Sequence, residues 1–121
     1  MYVYSAPKPE RTTGKVLKII LEVDYLKDRH IKVAVEAICK VANEENKKLI
    51  VKTKTGFAES HTENQDALRV IKKTLEINNM YGVDKIQIKT SGGIRTREEA
   101  ISLLQAGAHI LGVGKGKELL N

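Results

Sequence analysis

The sequence has no tryptophan, one phenylalanine and one cysteine. A single thiol excludes an internal disulfide. Cys39 sits in an apolar helical pattern with Ile38, Val41 and Ala42, which predicts a buried, unpaired side chain and not a nucleophile or ligand. Aromatic residues are only 4% of the chain and are not interleaved with the basic ones, so the formal net charge of +6 does not read as a nucleic-acid footprint. A phosphorylated small substrate accounts for positive charge equally well. No run approaches the roughly 18 apolar residues of a membrane-spanning helix. Residues 1–9 hold no apolar core framed like a signal peptide, so a cytoplasmic protein with no membrane partner is expected. His30, His61 and His109 have no metal-ligand spacing and no acidic or cysteine cluster beside them, so no metal is expected.

Proline is scarce too, and both prolines, Pro7 and Pro9, fall near the start. With the Thr12-Thr13-Gly14 stop they mark residues 1–14 as an extended arm. From Lys15 onward the chain alternates apolar runs of strand length with helical segments, which predicts parallel β/α units over residues 15–121. Strands are expected at Val16–Glu22, Lys48–Thr53, Lys85–Lys89 and Ala108–Val113. The run Ile19-Ile20-Leu21 reads as a strand covered on both faces. One helix is expected from Asp28 to Glu45 with Ile31, Ala34, Val35, Ile38, Val41 and Ala42 inward. A second opens on a Thr62/Gln65 capping box and buries Leu68, Ile71 and Leu75; a third opens on Thr96/Glu99 and ends at Gly107. Residues 114–121 are glycine-interrupted and then briefly helical. Four such units make half of a TIM (β/α)8 barrel, in keeping with 121 residues against the ~250 of a whole one.

Reacting groups in a β/α barrel project from the C-terminal ends of its strands. Lys52 follows Leu49-Ile50-Val51 and Lys89 follows Ile86-Gln87-Ile88. Strand alternation turns both lysines toward the barrel interior if Leu49, Val51, Ile86 and Ile88 face the helices. A lysine ending a strand commonly carries its charge out to solvent. Two on neighbouring strands suit a different use, because an amine attacks a carbonyl only when unprotonated, and a neighbouring cation with desolvation favours that form. Gly92-Gly93-Ile94-Arg95-Thr96 before a capped helix, and Gly112-Val113-Gly114-Lys115-Gly116 after the last strand, suit a phosphate held by backbone N–H groups. A tight turn needing positive φ explains the first loop as well. Glu22 and Asp24, at the end of the first strand, are either a pocket carboxylate or solvated loop charges.

Several of these segments carry a resemblance. Val51-Lys52-Thr53-Lys54-Thr55-Gly56-Phe57 resembles the (I/V)KTSTG segment of deoxyribose-phosphate aldolases, and Ile88-Lys89-Thr90-Ser91-Gly92-Gly93-Ile94-Arg95-Thr96 resembles their VKASGGIRT. Lys15 to Glu22 is similar to the family's KVLKVILE strand, and Ala106 to Gly114 to its AGA…IG(T/A)S end. The resemblance runs from about Gly14 to Leu120 and covers the family's C-terminal half. It implies a class I aldolase in which Lys52 forms an imine with acetaldehyde and Lys89 is the second active-site amine. The reaction would be the reversible cleavage of 2-deoxy-D-ribose 5-phosphate to acetaldehyde and glyceraldehyde 3-phosphate, which serves deoxynucleoside catabolism without a dissociable cofactor. Gly56, Gly92, Gly93, Gly112 and Gly114 would line the phosphate end; Arg95 in the first loop and Lys115, as a point charge in the second, are further candidate phosphate ligands. Three departures accompany it: the family's proton-relay aspartate lies in the half not matched, Gly114-Lys115 replaces a serine pair, and Phe57 stands where a basic residue can follow the glycine.

Half a barrel is expected to leave two unpaired edges and an uncovered inner face. The partners that answer this are a second copy closing one eight-stranded barrel, a separate N-terminal half chain supplying the aspartate, or the arm of residues 1–14 covering an edge. The alternative to an enzyme is a sugar-phosphate-binding or assembly module derived from the aldolase.

Overall fold

The computed structural model describes residues 2–4, 17–45, 48–54, 63–92 and 94–113. Strand β1 is Tyr2–Tyr4, β2 Leu17–Ile20, β3 Leu49–Lys52, β4 Ile86–Ser91 and β5 Ile110–Val113. Helix α1 spans Asp28–Glu45, α2 Asn64–Ile77 and α3 Arg97–Gln105, and a 3₁₀ turn occupies Val23–Tyr25. The strands form one sheet in the order β1-β5-β4-β3-β2, in which β2 to β5 are parallel and β1 is antiparallel to β5. Four parallel strands with their connecting helices are half of a TIM barrel, as the strand–helix rhythm predicts.

The helix-facing side of the sheet carries the core. Leu49 and Val51 of β3, Ile86 and Ile88 of β4 and Leu111 of β5 pack with Ile31, Val35 and Ile38 of α1 and Leu68, Ile71 and Leu75 of α2. Each fully buried side chain of this kind contributes roughly 1.5–3 kcal/mol. Cys39 is buried as expected, and burial, then the Glu36 charge, pushes its thiol up. Val41, expected inward, is 50% exposed, because the buried positions Ile31, Val35, Ile38, Cys39 and Ala42 define a stripe that it misses.

Several expectations are corrected. Ile20 and Leu17 are 45% and 53% exposed, so β2 is not covered on both faces; among the described residues it pairs only with β3 and lies at the sheet edge. The other edge is not open, because Tyr2–Tyr4 of the arm pairs with β5 in the register Tyr2↔Val113, Val3↔Gly112, Tyr4↔Leu111. Residues 5–14 of the arm lie outside the described residues. At its centre the inner face is not open either: Ile50, Lys52, Lys89 and Ile110 are all buried within the single chain. The N-cap of α2 is Glu63, without a side-chain cap hydrogen bond, and Gln65 donates to Ser102 Oγ at 2.5 Å instead of capping; Thr62 lies outside the described residues. At α3 the expected cap is present, with Glu99 N donating to Thr96 Oγ1 at 3.1 Å. The Glu99 carboxylate reaches one residue further back, accepting from Arg95 N at 3.0 Å.

Candidate active site

Register partners on parallel strands point to the same side of a sheet, so the pairs Ile20↔Lys52, Lys52↔Lys89 and Lys89↔Ile110 lay out one row across the inner face. The two lysines are therefore neighbours, on backbones about 4.8 Å apart, with an isoleucine on either side. Lys52 is 7% exposed and Lys89 3%. Both stand toward the C-terminal ends of their strands, where the βα loops gather.

A third lysine joins them. The backbone after β2 follows β3 upward, with Leu21 N donating to Lys52 O and Val23 N to Thr53 O, each at 2.9 Å. Glu22 turns the chain here with φ 56°, a left-handed conformation that costs a non-glycine residue about 1–2 kcal/mol. Beyond that turn Asp24 folds inward. Its Oδ1 accepts from Lys54 Nζ at 3.3 Å, and the two side chains are only 1% and 4% exposed. Asp24 is therefore a buried, paired carboxylate and not a solvated loop charge. Removing one member of a buried pair leaves a buried charge and typically costs about 3–5 kcal/mol.

Below this pair the loops after β3 and β4 are tied together. Thr53 Oγ1 donates to Asn64 Oδ1 at 2.9 Å and accepts from Ser91 N at 3.2 Å; Asn64 Nδ2 donates to Gly92 O at 2.8 Å. Ser91 Oγ donates to Lys54 O. Asn64 thus bridges the start of α2 to the turn at Gly92, whose φ of 87° requires glycine. Further down the sheet, β4 and β5 are joined by a reciprocal contact, His109 N to Ile88 O at 2.9 Å and Ile88 N to His109 Nδ1 at 3.0 Å. Burial, then the Lys72 charge, lowers the His109 pKa, in keeping with an Nδ1 that accepts.

Of the residues read as phosphate ligands, Gly92 and Arg95 line one cleft of about 530 Å³, together with Lys54 and Asn64. The same cleft is lined by Glu63, Glu98 and Glu99, and the Arg95 amide is already taken by Glu99, so its potential is mixed. Gly112 sits within β5 between Ser91 and Val3, one step above the lysine row. Gly56, Gly93, Gly114 and Lys115 lie outside the described residues. A larger cavity of about 710 Å³, lined by Glu36, Cys39, Lys48, Asp84 and Lys85, opens near the N-terminal ends of β3 and β4, away from the lysine pair. Among the described residues no cluster of side chains could hold a metal ion, and no helix is long and apolar enough to cross a membrane.

Lys54 and its partnership with Asp24 were not foreseen from the sequence. One signal pointed there: Lys54 stands where the (I/V)KTSTG pattern has serine.

No protein-family model matches the chain. A deoxyribose-phosphate aldolase of Finegoldia magna is 34% identical over 111 residues, which are 92% of this chain and 46% of that protein. One of Aquifex aeolicus is 39% identical over 105 residues, 87% of this chain and 42% of the relative. The chain is similar to deoxyribose-phosphate aldolases over nearly its whole length. It spans less than half of these aldolases, the share expected of their C-terminal half. Solved structures agree. An aldolase designated QR15 superposes with a TM-score of 0.66 at 36% identity, covering 85% of this chain and 42% of that one. A putative deoxyribose-phosphate aldolase of Coccidioides immitis gives 0.67 at 28% identity, covering 88% and 38%.

Proposed function

We propose that the chain is a Schiff-base lyase that reversibly cleaves 2-deoxy-D-ribose 5-phosphate to acetaldehyde and glyceraldehyde 3-phosphate. One observation carries the reading: two buried amines are register partners near the C-terminal ends of adjacent parallel strands. An amine attacks a carbonyl in its unprotonated form, and a second amine on the neighbouring strand is placed to act on the same substrate. Lys52 is the nucleophile. Its nitrogen forms a carbon–nitrogen double bond to C1 of the sugar with loss of water, and the resulting iminium accepts the electron pair of the C2–C3 bond as glyceraldehyde 3-phosphate leaves. Lys89 is the second amine, holding positive charge next to the reacting nitrogen. Gly92, Arg95 and Gly112, with Gly56, Gly93, Gly114 and Lys115 of the neighbouring segments, serve the phosphate.

A partner that adds strands to the sheet belongs to the same proposal. The exposed β2 edge suits that partner, either a second copy or a chain equivalent to the remaining half. For two copies to close a parallel barrel, β1 must leave β5, because it occupies the second edge.

Borohydride reduction in the presence of acetaldehyde tests the reading. A two-carbon adduct on Lys52 and retro-aldol turnover lost in Lys52→Ala are expected. Sugar-phosphate binding without turnover, unaffected by Lys52→Ala, would mark a binding or assembly module and overturn the enzyme.

A further inference from the structure

Resting on that reading, we propose that Asp24 is the proton-transfer group of the Lys52 site and that Lys54 is its positioning residue. Cleavage needs a base for the sugar's 3-hydroxyl and an acid for C2 of the enamine left on Lys52. Neither lysine is a natural candidate for the first task, since one is consumed as the imine and the other is the neighbouring cation. Asp24 is a carboxylate with a side chain only 1% exposed, on a turn whose preceding residues are held against the end of the Lys52 strand.

Three observations bring it to this site. Leu21 N and Val23 N donate to Lys52 O and Thr53 O, which holds the segment preceding Asp24 against the Lys52 strand. Glu22, two residues before Asp24, adopts a left-handed conformation, and strain of this kind concentrates at functional sites. Lys54, two residues beyond Lys52, grips Asp24 Oδ1 at 3.3 Å. A buried ion pair is weak support for stability, since apolar residues of similar volume often serve as well. Here the pair fixes one carboxylate oxygen beside the end of the strand that carries Lys52.

The step balances without a further reagent. Asp24, directly or through one water, takes the proton of the 3-hydroxyl. The O–H electron pair becomes the new carbonyl of glyceraldehyde 3-phosphate, and the C2–C3 pair passes into the iminium to give the enamine. The protonated carboxyl then returns its proton to C2, and hydrolysis of the imine releases acetaldehyde. Lys54 acts only by keeping the carboxylate aimed.

The test separates proton transfer from imine formation. In deuterated water the full chain should exchange the methyl protons of acetaldehyde through the enamine, and borohydride should trap the Lys52 adduct. In Asp24→Asn the adduct should persist, whereas methyl exchange and retro-aldol turnover should each fall about 10²-fold. The double variant Asp24→Asn with Lys54→Met removes both charges, guards against an unfolded single variant, and should behave alike. Exchange at the parent rate in either variant, with the adduct retained, would overturn the role of Asp24 and leave the aldolase reading standing. Absence of the adduct from the parent chain would overturn both.

Discussion

Lys52 and Lys89 face each other across the β3–β4 ladder with both side chains buried, on a sheet whose helix-facing neighbours Val51 and Ile88 are wholly apolar. Such a pair is not a packing solution. Replacing Lys52 with methionine keeps volume and puts an apolar side chain at a buried amine's place, so the melting temperature should stay level or rise while borohydride trapping of acetaldehyde is abolished. Calorimetry beside intact-mass analysis reads both. A variant that loses several degrees would show that the amine is held there for structure.

Asn64 joins two loops that come from different β/α units. Its carboxamide oxygen accepts from Thr53 and its nitrogen donates to Gly92 O. Asn64→Ala leaves buried polar groups without partners and should cost about 1–3 kcal/mol. Asn64→Asp keeps the acceptor and loses the donor. If the bridge matters as described, urea midpoints should fall in the order wild type, Asp, Ala, or at least place both variants below the parent; equal midpoints would dismiss it.

The architecture was legible where local pattern and burial agree. Leu49 to Lys52 reads as a strand because every residue in it is buried, and Leu68, Ile71 and Leu75 keep helical spacing because they face one core. The lysine register was legible for a related reason, since alternation fixes which side a residue takes once the apolar side is known. Tyr2–Tyr4 was not legible as a sheet strand: three residues without alternation carry no local signal, and their pairing with Leu111 to Val113 closes a loop of more than a hundred residues. Asp24 was left open because its direction depends on a left-handed residue at Glu22, which no propensity favours. Thr62 and Gln65 matched a capping pattern, yet Gln65 found Ser102 on α3, a partner invisible to any local window.

His109 ties stability to pH. Its folded-state pKa lies below the ordinary histidine value of 6.5, from burial first and Lys72 second. As pH falls below that value the unfolded chain takes up the proton before the folded one, so the contribution of this group is full above about 6.5 and is lost as pH falls through the lower folded value. Protonation of Nδ1 also removes the acceptor used by Ile88 N, beside Lys89. Denaturant midpoints at about pH 7.5 and pH 5.5 should therefore differ, and His109→Gln should shrink the difference. An undiminished difference would assign the pH dependence to other groups.

Gly107 closes the turn after α3 with φ +121°, and its carbonyl accepts from Tyr81 Oη at 2.6 Å. A β-carbon there would lie 2.7 Å from Lys72 Cδ and 2.9 Å from Tyr81 Oη. The lysine stem can swing aside, but the tyrosine is held by its own hydrogen bond and by its ring contact with His109 at 4.8 Å. Backbone strain adds to the clash, so Gly107→Ala should destabilise by about 1–2 kcal/mol or more. Gly82 provides the contrast: its φ is +147°, yet nothing lies within 4 Å of an added β-carbon. Gly82→Ala should cost less than Gly107→Ala in parallel thermal melts. The reverse order would mean that Tyr81 and Lys72 give way freely, and that the Tyr81–His109 contact does not brace the β4–β5 pair that carries Lys89.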